Sequence, residues 1–214
     1  MDEPLGPPKL GEWRAIIDEP PQSFDDYAAS CANRRTAARS AFHLLPLGRA
    51  AVRTGLLHRM RRHAEEFFGI PARAGDPLPM IGEGWDPMRR RHNASIVIDR
   101  LAPLAPSDAL VCLAVVDEDL FARGLPWVFG EGNFENRCGV ISLARLEGSV
   151  DRALKLMGHE ACHVLSIAHC TRHRCLMQGA NSLPEFDATP AELCALDARK
   201  LRWNLRLEAA GRPG

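Results

Sequence analysis

The chain has 214 residues, enough for one good-sized core and too few for two full domains. Its 46% apolar and 25% charged residues are ordinary for a globular protein, and no apolar stretch reaches the length of a membrane span. The 27 basic residues balance 27 acidic ones, so nothing in the charge recommends nucleic acid or an anionic membrane as a partner.

Residues 1–40 hold many Pro, Asp and Arg without a sustained period and read as an irregular or partly helical lead-in to a domain over 41–214. The opening MDEPLGPPKL lacks the basic-then-apolar order of a secretory signal, so a cytoplasmic location is expected. A short apolar run at 41–47 predicts a first strand. Residues 52–68 place apolar side chains at helical spacing against an Arg- and His-rich face, which predicts an amphipathic helix. The Pro- and Gly-rich stretch 70–84 reads as turns around at most one short strand, and 89–101 as a second helix stopped by Pro103 and Pro106. LVCLAVV at 110–116 has the near-continuous β-prone character of a strand buried on both faces. Two apolar segments within 127–146 flank a polar Gly- and Asn-containing link, the mark of a hairpin or meander. A third helix is expected at 149–165, with Ser149 as its N-cap and Leu154, Met157 and Ala161 along one face. An irregular tail follows. This alternation of strands and helices indicates an α/β or α+β domain.

Seven cysteines cannot all pair. Cys31, Cys112, Cys138 and Cys162 are scattered, whereas Cys170, Cys175 and Cys194 fall in one short stretch, the first sign of a metal site. The third helix carries the second sign, His159-Glu160-Ala161-Cys162-His163. Residues four apart project from one helix face, so both imidazoles can meet one ion. A catalytic zinc keeps an open position for water, and Glu160 is placed to take the proton of that zinc-bound water without ligating. The pentapeptide alone carries a real false-positive risk. It is joined by His169, six residues past His163, and by Met177 close behind. That extended spacing, HExxHxxxxxH, is the one metzincins use to supply a third His ligand. Cys162 lies within the motif but on another helix face and reads as packed. His173 reads as a solvent-facing residue, and His43, His58, His63 and His92 lack partner spacing.

Residues 158–201, GHEACHVLSIAHCTRHRCLMQGANSLPEFDATPAELCALDARKL, resemble the archaemetzincin (archaelysin) family of metzincin zinc metallopeptidases. The family pattern HExxHxxGx3C, Cx4CxM and CxxC is met by His159, Glu160, His163, Cys170, Cys175, Met177 and Cys194. Upstream, VVDEDLF, WVFGEGN and GVISLARL look like the family's central and upper-rim strands. The resemblance implies an α+β metzincin-like domain with a twisted mixed sheet, backing helices, an active-site helix at 149–165 and an irregular zinc-stapled part at 170–197. It implies a metallopeptidase acting on peptide or protein substrates, with catalytic Zn2+ on His159, His163 and His169, Glu160 as general base and Met177 as the methionine turn. By analogy, a rim strand at about 139–146 would pair with an extended substrate.

Two positions depart from the pattern. Asp197 stands where the fourth cysteine of a second, structural zinc site belongs, beside Cys170, Cys175 and Cys194. A carboxylate can complete such a site, and three packed thiols without metal are the alternative. Ser166 stands where the family has the glycine that breaks the helix towards the third His, a position that favours positive φ. The competing function is a zinc-stabilised binding module that cleaves nothing. The intact Glu160 counts against it.

Overall fold

Alternating apolar positions in two extended runs determine the layers of this fold. The structure is a computed structural model that describes residues 2–206; Met1 and residues 207–214, the outer ends of the expected lead-in and domain, lie outside the described residues. The lead-in contains two short helices, α1 (Trp13–Ile16) and α2 (Phe24–Ser30), the second opened by reciprocal hydrogen bonds between Ser23 and Asp26. The main sheet has the order β2-β1-β5-β9-β8 and comprises β1 (Ala41–Pro46), β2 (Ala72–Ala74), β5 (Ala109–Val116), β8 (Gly130–Asn133) and β9 (Cys138–Ser142). All of its pairings are parallel except β8 with β9.

Side chains on successive residues of β1 and β5 point to opposite faces. Phe42, Leu44, Val111 and Leu113 join one apolar cluster with α3 (Thr54–Phe68) and α5 (Val150–Val164). Leu45, Cys112, Ala114 and Val116 join another with α4 (Ala94–Leu101). A smaller sheet of β3 (Trp85–Asp86), β4 (Arg91–Asn93), β6 (Leu120–Ala122) and β7 (Leu125–Val128) lies alongside. The mixed sheet with helices on both faces agrees with the α+β expectation. Among the described residues no helix is long and apolar enough to cross a membrane.

Three expectations are corrected. The second helix begins at Ala94 rather than residue 89, because Asn93 caps it by accepting from the Ile96 N–H and residues 91–93 pair as β4. The upper rim is not 139–146. β9 is fully buried between β5 and β8, so the edge strand that lies against α5 is β8. The tail expected to be irregular contains α6 (Leu183–Ala188) and α7 (Ala195–Leu205).

The carboxyl end of α5 is held from the lead-in. Ser149 caps its start by accepting from the Arg152 N–H. At its end, carbonyls that have no partner within a helix need outside donors. Asn33 Nδ2 donates to Val164 O at 3.0 Å and Leu110 O at 2.9 Å, and Tyr27 Oη donates to Leu165 O at 3.0 Å. These buried polar groups tie lead-in, sheet and helix together.

Candidate active site

Glycines at alternate positions of β8 decide how closely α5 can approach the sheet edge. A Cβ at residue 130 would lie 2.7 Å from Glu160 Cγ, and one at residue 132 would lie 2.5 Å from Glu160 O. No side chain fits at either position, so the helix packs directly against the edge strand. Glu160 thereby reaches a cleft of about 720 Å³ whose lining also includes His159, His163, His169 and the strand residues 127–132. Burial pushes the Glu160 carboxyl up to about 8, with the nearby Glu131 charge adding to it. A cation at the adjacent histidines would draw it back down.

The three histidines converge on one point. His159 Nδ1 donates to Leu176 O and His163 Nδ1 to Ile167 O, both at 2.8 Å, while His169 Nδ1 lies 2.9 Å from both Glu19 carboxylate oxygens. With each Nδ1 engaged, each Nε2 is the nitrogen left for a ligand. The potential ligand atoms lie within 4.8 Å of one another, and the Nε2 atoms of His159 and His163 are 3.0 Å apart. Burial holds His159 down at about 3 and His163 well below the ordinary imidazole range, so both are neutral near pH 7. Two neutral imidazoles oriented this way point lone pairs at each other, an arrangement a cation relieves. Tetrahedral zinc with Zn–N of about 2.0–2.1 Å requires nitrogens roughly 3.3 Å apart, close to this spacing. The donor set therefore fits zinc, with carbonyl and carboxylate partners behind the imidazoles.

The next residue in the chain belongs to a different cluster. Cys170, Cys175, Cys194 and Asp197 are all buried, with donor atoms within 4.8 Å of one another. Cys170 Sγ and Cys194 Sγ are 3.9 Å apart, and Asp197 Oδ2 accepts from Cys175 Sγ at 3.2 Å and Cys194 Sγ at 3.4 Å. Zinc with Zn–S of about 2.3 Å sets thiolates roughly 3.8 Å apart in a tetrahedron, so this set also fits zinc. Hydrogen bonds from the Cys175 and Cys194 thiols pull the Cys170 thiol well below its ordinary range. The other carboxylate oxygen of Asp197 accepts from Lys200 Nζ at 2.9 Å, and both side chains are 2% exposed. Lys200 carries no signal in the motif and was not singled out from sequence.

Met177 is buried in the main apolar cluster. Its carbonyl accepts from the Cys170 N–H at 2.7 Å, and the carbonyl just before it, on Leu176, supports His159. Its turn thus touches both clusters. Ser166 has φ 68°, the left-handed conformation its position called for. Cys162 is buried among apolar side chains, and His173 lies outside the cleft in a β-bridge with Pro4. Tyr27, the only tyrosine, supports α5 from behind rather than facing the cleft.

The lead-in supplies part of the site that sequence reasoning missed. Trp13, Ile16, Ile17 and Glu19 line the cleft. Trp13 packs edge-on to His169 with ring centroids 5.2 Å apart, over Gly179, where a Cβ would lie 2.4 Å from the indole. No local pattern in residues 13–19 betrays this role; a glycine at 179 is the one sequence trace.

Comparisons with known proteins point to one family. Peptidase family M54 matches residues 99–203. Over 120 residues the chain is 32% identical to the archaemetzincin of Archaeoglobus fulgidus, covering 54% of this chain and 71% of that protein. The crystal structure of that archaemetzincin complexed with malonate aligns with a TM-score of 0.67 at 25% identity, covering 75% of this chain and 99% of the other. The archaemetzincin crystal structure from Methanopyrus kandleri gives 0.70 at 25% identity, covering 79% and 97%.

Proposed function

Because the chain belongs to the archaemetzincin family of zinc metallopeptidases, we propose that His159, His163 and His169 hold its catalytic zinc and that Glu160 is its general base. The observation that carries this reading is the convergence of three imidazoles, each with its Nδ1 engaged, beside a buried carboxyl in one cleft. Zinc bound there supplies Lewis acidity and makes water a stronger acid.

The rest of the chemistry falls to the chain's own residues. The free edge of β8 offers backbone groups to an extended peptide, which would add as a further strand. Trp127, Phe129, Leu156 and Phe186 form an apolar wall suited to a side chain next to the cleaved bond. Glu160 accepts a proton from the attacking water and gives it to the departing amine as the carbon–nitrogen bond breaks. Its tight seat between α5 and the glycines of β8 keeps the carboxylate over the reacting atoms. Met177 and its turn form the apolar floor, and Cys170, Cys175, Cys194 and Asp197 hold a second, structural zinc.

Glu160→Gln tests the assignment. Cleavage of an unbiased peptide mixture should fall by about 10²–10⁴-fold while zinc content stays at the parent value. Zinc lost along with activity would make Glu160 part of the metal site instead of the base. A parent protein that keeps its zinc and cuts no peptide in the mixture would leave a zinc-stabilised binding module.

A further inference from the structure

The third histidine sits on the least secure part of the metal site. His159 and His163 are fixed on α5, but His169 follows a chain reversal in which Ser166 takes φ 68°. Within that turn the Ser166 N–H donates to His163 O at 2.9 Å and the Ile167 N–H to Cys162 O at 3.0 Å. These bonds close the helix without determining where residues 168 and 169 go. Ser166 is a non-glycine residue in a conformation that disfavours side chains, so the reversal needs support from elsewhere.

The lead-in provides it. Gln22 spans the turn with both ends of its amide: Nε2 donates to Ser166 O at 3.0 Å, and Oε1 accepts from the Ala168 N–H at 3.1 Å. Three residues earlier, both Glu19 oxygens face His169 Nδ1 at 2.9 Å. Glu19 is itself held by Trp13 Nε1, which donates to its Oε2 at 2.9 Å. The segment is fastened to the opposite wall through Glu185, which accepts from the Trp13 N–H at 2.7 Å and the Asn181 N–H at 2.9 Å. A surface segment with no metal-related role would have no reason to meet both polar groups of one strained turn and the outer nitrogen of the one imidazole that turn carries.

We propose that residues 13–22 are an in-cis clamp for the third metal ligand, in which Gln22 fixes the reversal at Ser166 and Glu19 orients the His169 ring. The clamp rests on the reading that the three histidines hold zinc, and it lies outside the 99–203 stretch that matches the peptidase family. Glu19 and Gln22 are positioning residues. They act through His169 on the metal, by restricting its turn and by accepting the Nδ1–H, which makes Nε2 a better donor. Access to the cleft and possession of the third ligand are therefore coupled, since the same segment contributes Trp13 and Ile16 to the cleft lining.

The test is metal binding to the full chain, stripped of metal and titrated with Zn2+ against a chromophoric chelator, and separately with Co2+. Sulfur-to-cobalt charge-transfer absorption reports the cysteine cluster, and d–d bands without it report the histidines. Glu19→Ala and Gln22→Ala should each weaken the histidine site by about 10–100-fold. The cysteine-cluster absorption should stay at the parent value, and the metal-free protein should melt at most about 2–4 °C lower. Glu19→Gln, which keeps a hydrogen-bond acceptor, should recover most of the affinity. Parent-like affinity in both alanine variants overturns the clamp and leaves the histidine site standing. A parent that takes up metal only at its cysteines removes the histidine site and the clamp together.

Discussion

His169 and Cys170 are neighbours in sequence, yet one joins an open cluster of imidazoles and the other a closed cluster of thiols and a carboxylate. The histidine cluster offers three donors at a cleft, and the cysteine cluster offers four that are buried. Catalytic and structural zinc sites differ in this way, because only a site with a vacant position can act on a substrate. Their surroundings differ in the complementary sense. Around the imidazoles stand two carboxyl groups, Glu19 and Glu160, which would balance a bound dication. Beside three thiols and a carboxylate stands the buried Lys200, paired with Asp197. A donor set is thus only half of a metal site, and the charge placed behind it is the other half.

Lys200→Met gives the largest effect expected from this contrast. Removing one partner of a buried pair costs about 3–5 kcal/mol, and the zinc-stripped protein should lose stability on that scale, since Asp197 is left alone in the interior. The zinc-loaded protein should lose much less, because the metal takes over the role of counter-charge. Thermal unfolding of both forms measures the difference. An equal loss in the two would mean that Asp197 never meets the metal.

Ser166→Gly probes the weaker point of the other cluster. Relief of the left-handed strain is partly offset by glycine's greater freedom in the unfolded chain, so the gain should be under about 1 kcal/mol. The buried Ser166 hydroxyl makes no hydrogen bond, so nothing else is given up. The melting temperature should rise slightly with zinc content unchanged. A fall would show that the serine side chain supports the turn.

What was legible in the sequence follows from how local each signal is. The α5 pair, the buried run of β5 and the cysteine cluster each lie within a few turns of chain, and all three stand where spacing and periodicity put them. Helix α7 escaped because the residues it buries are Asp197, Lys200, Leu201 and Asn204. They follow helical spacing, but three of the four are polar, and an apolar-periodicity argument cannot see them. The rim strand was misplaced because edge and centre are decided by sheet order, which depends on pairings far apart in sequence. The contacts of Glu19 and Gln22 span 144–150 residues and follow from no pattern around either residue. Even so, the turn they hold left a trace in the sequence, since Ser166 stands at a position that favours positive φ.

The most direct test counts zinc per chain by elemental analysis, on protein purified without chelator, for the parent, His163→Ala and Cys194→Ser. Two open-and-closed sites predict two ions in the parent and one in each variant, with peptide cleavage lost in His163→Ala. A single ion that survives His163→Ala and disappears in Cys194→Ser would contradict the account, since the cleft would then hold no zinc.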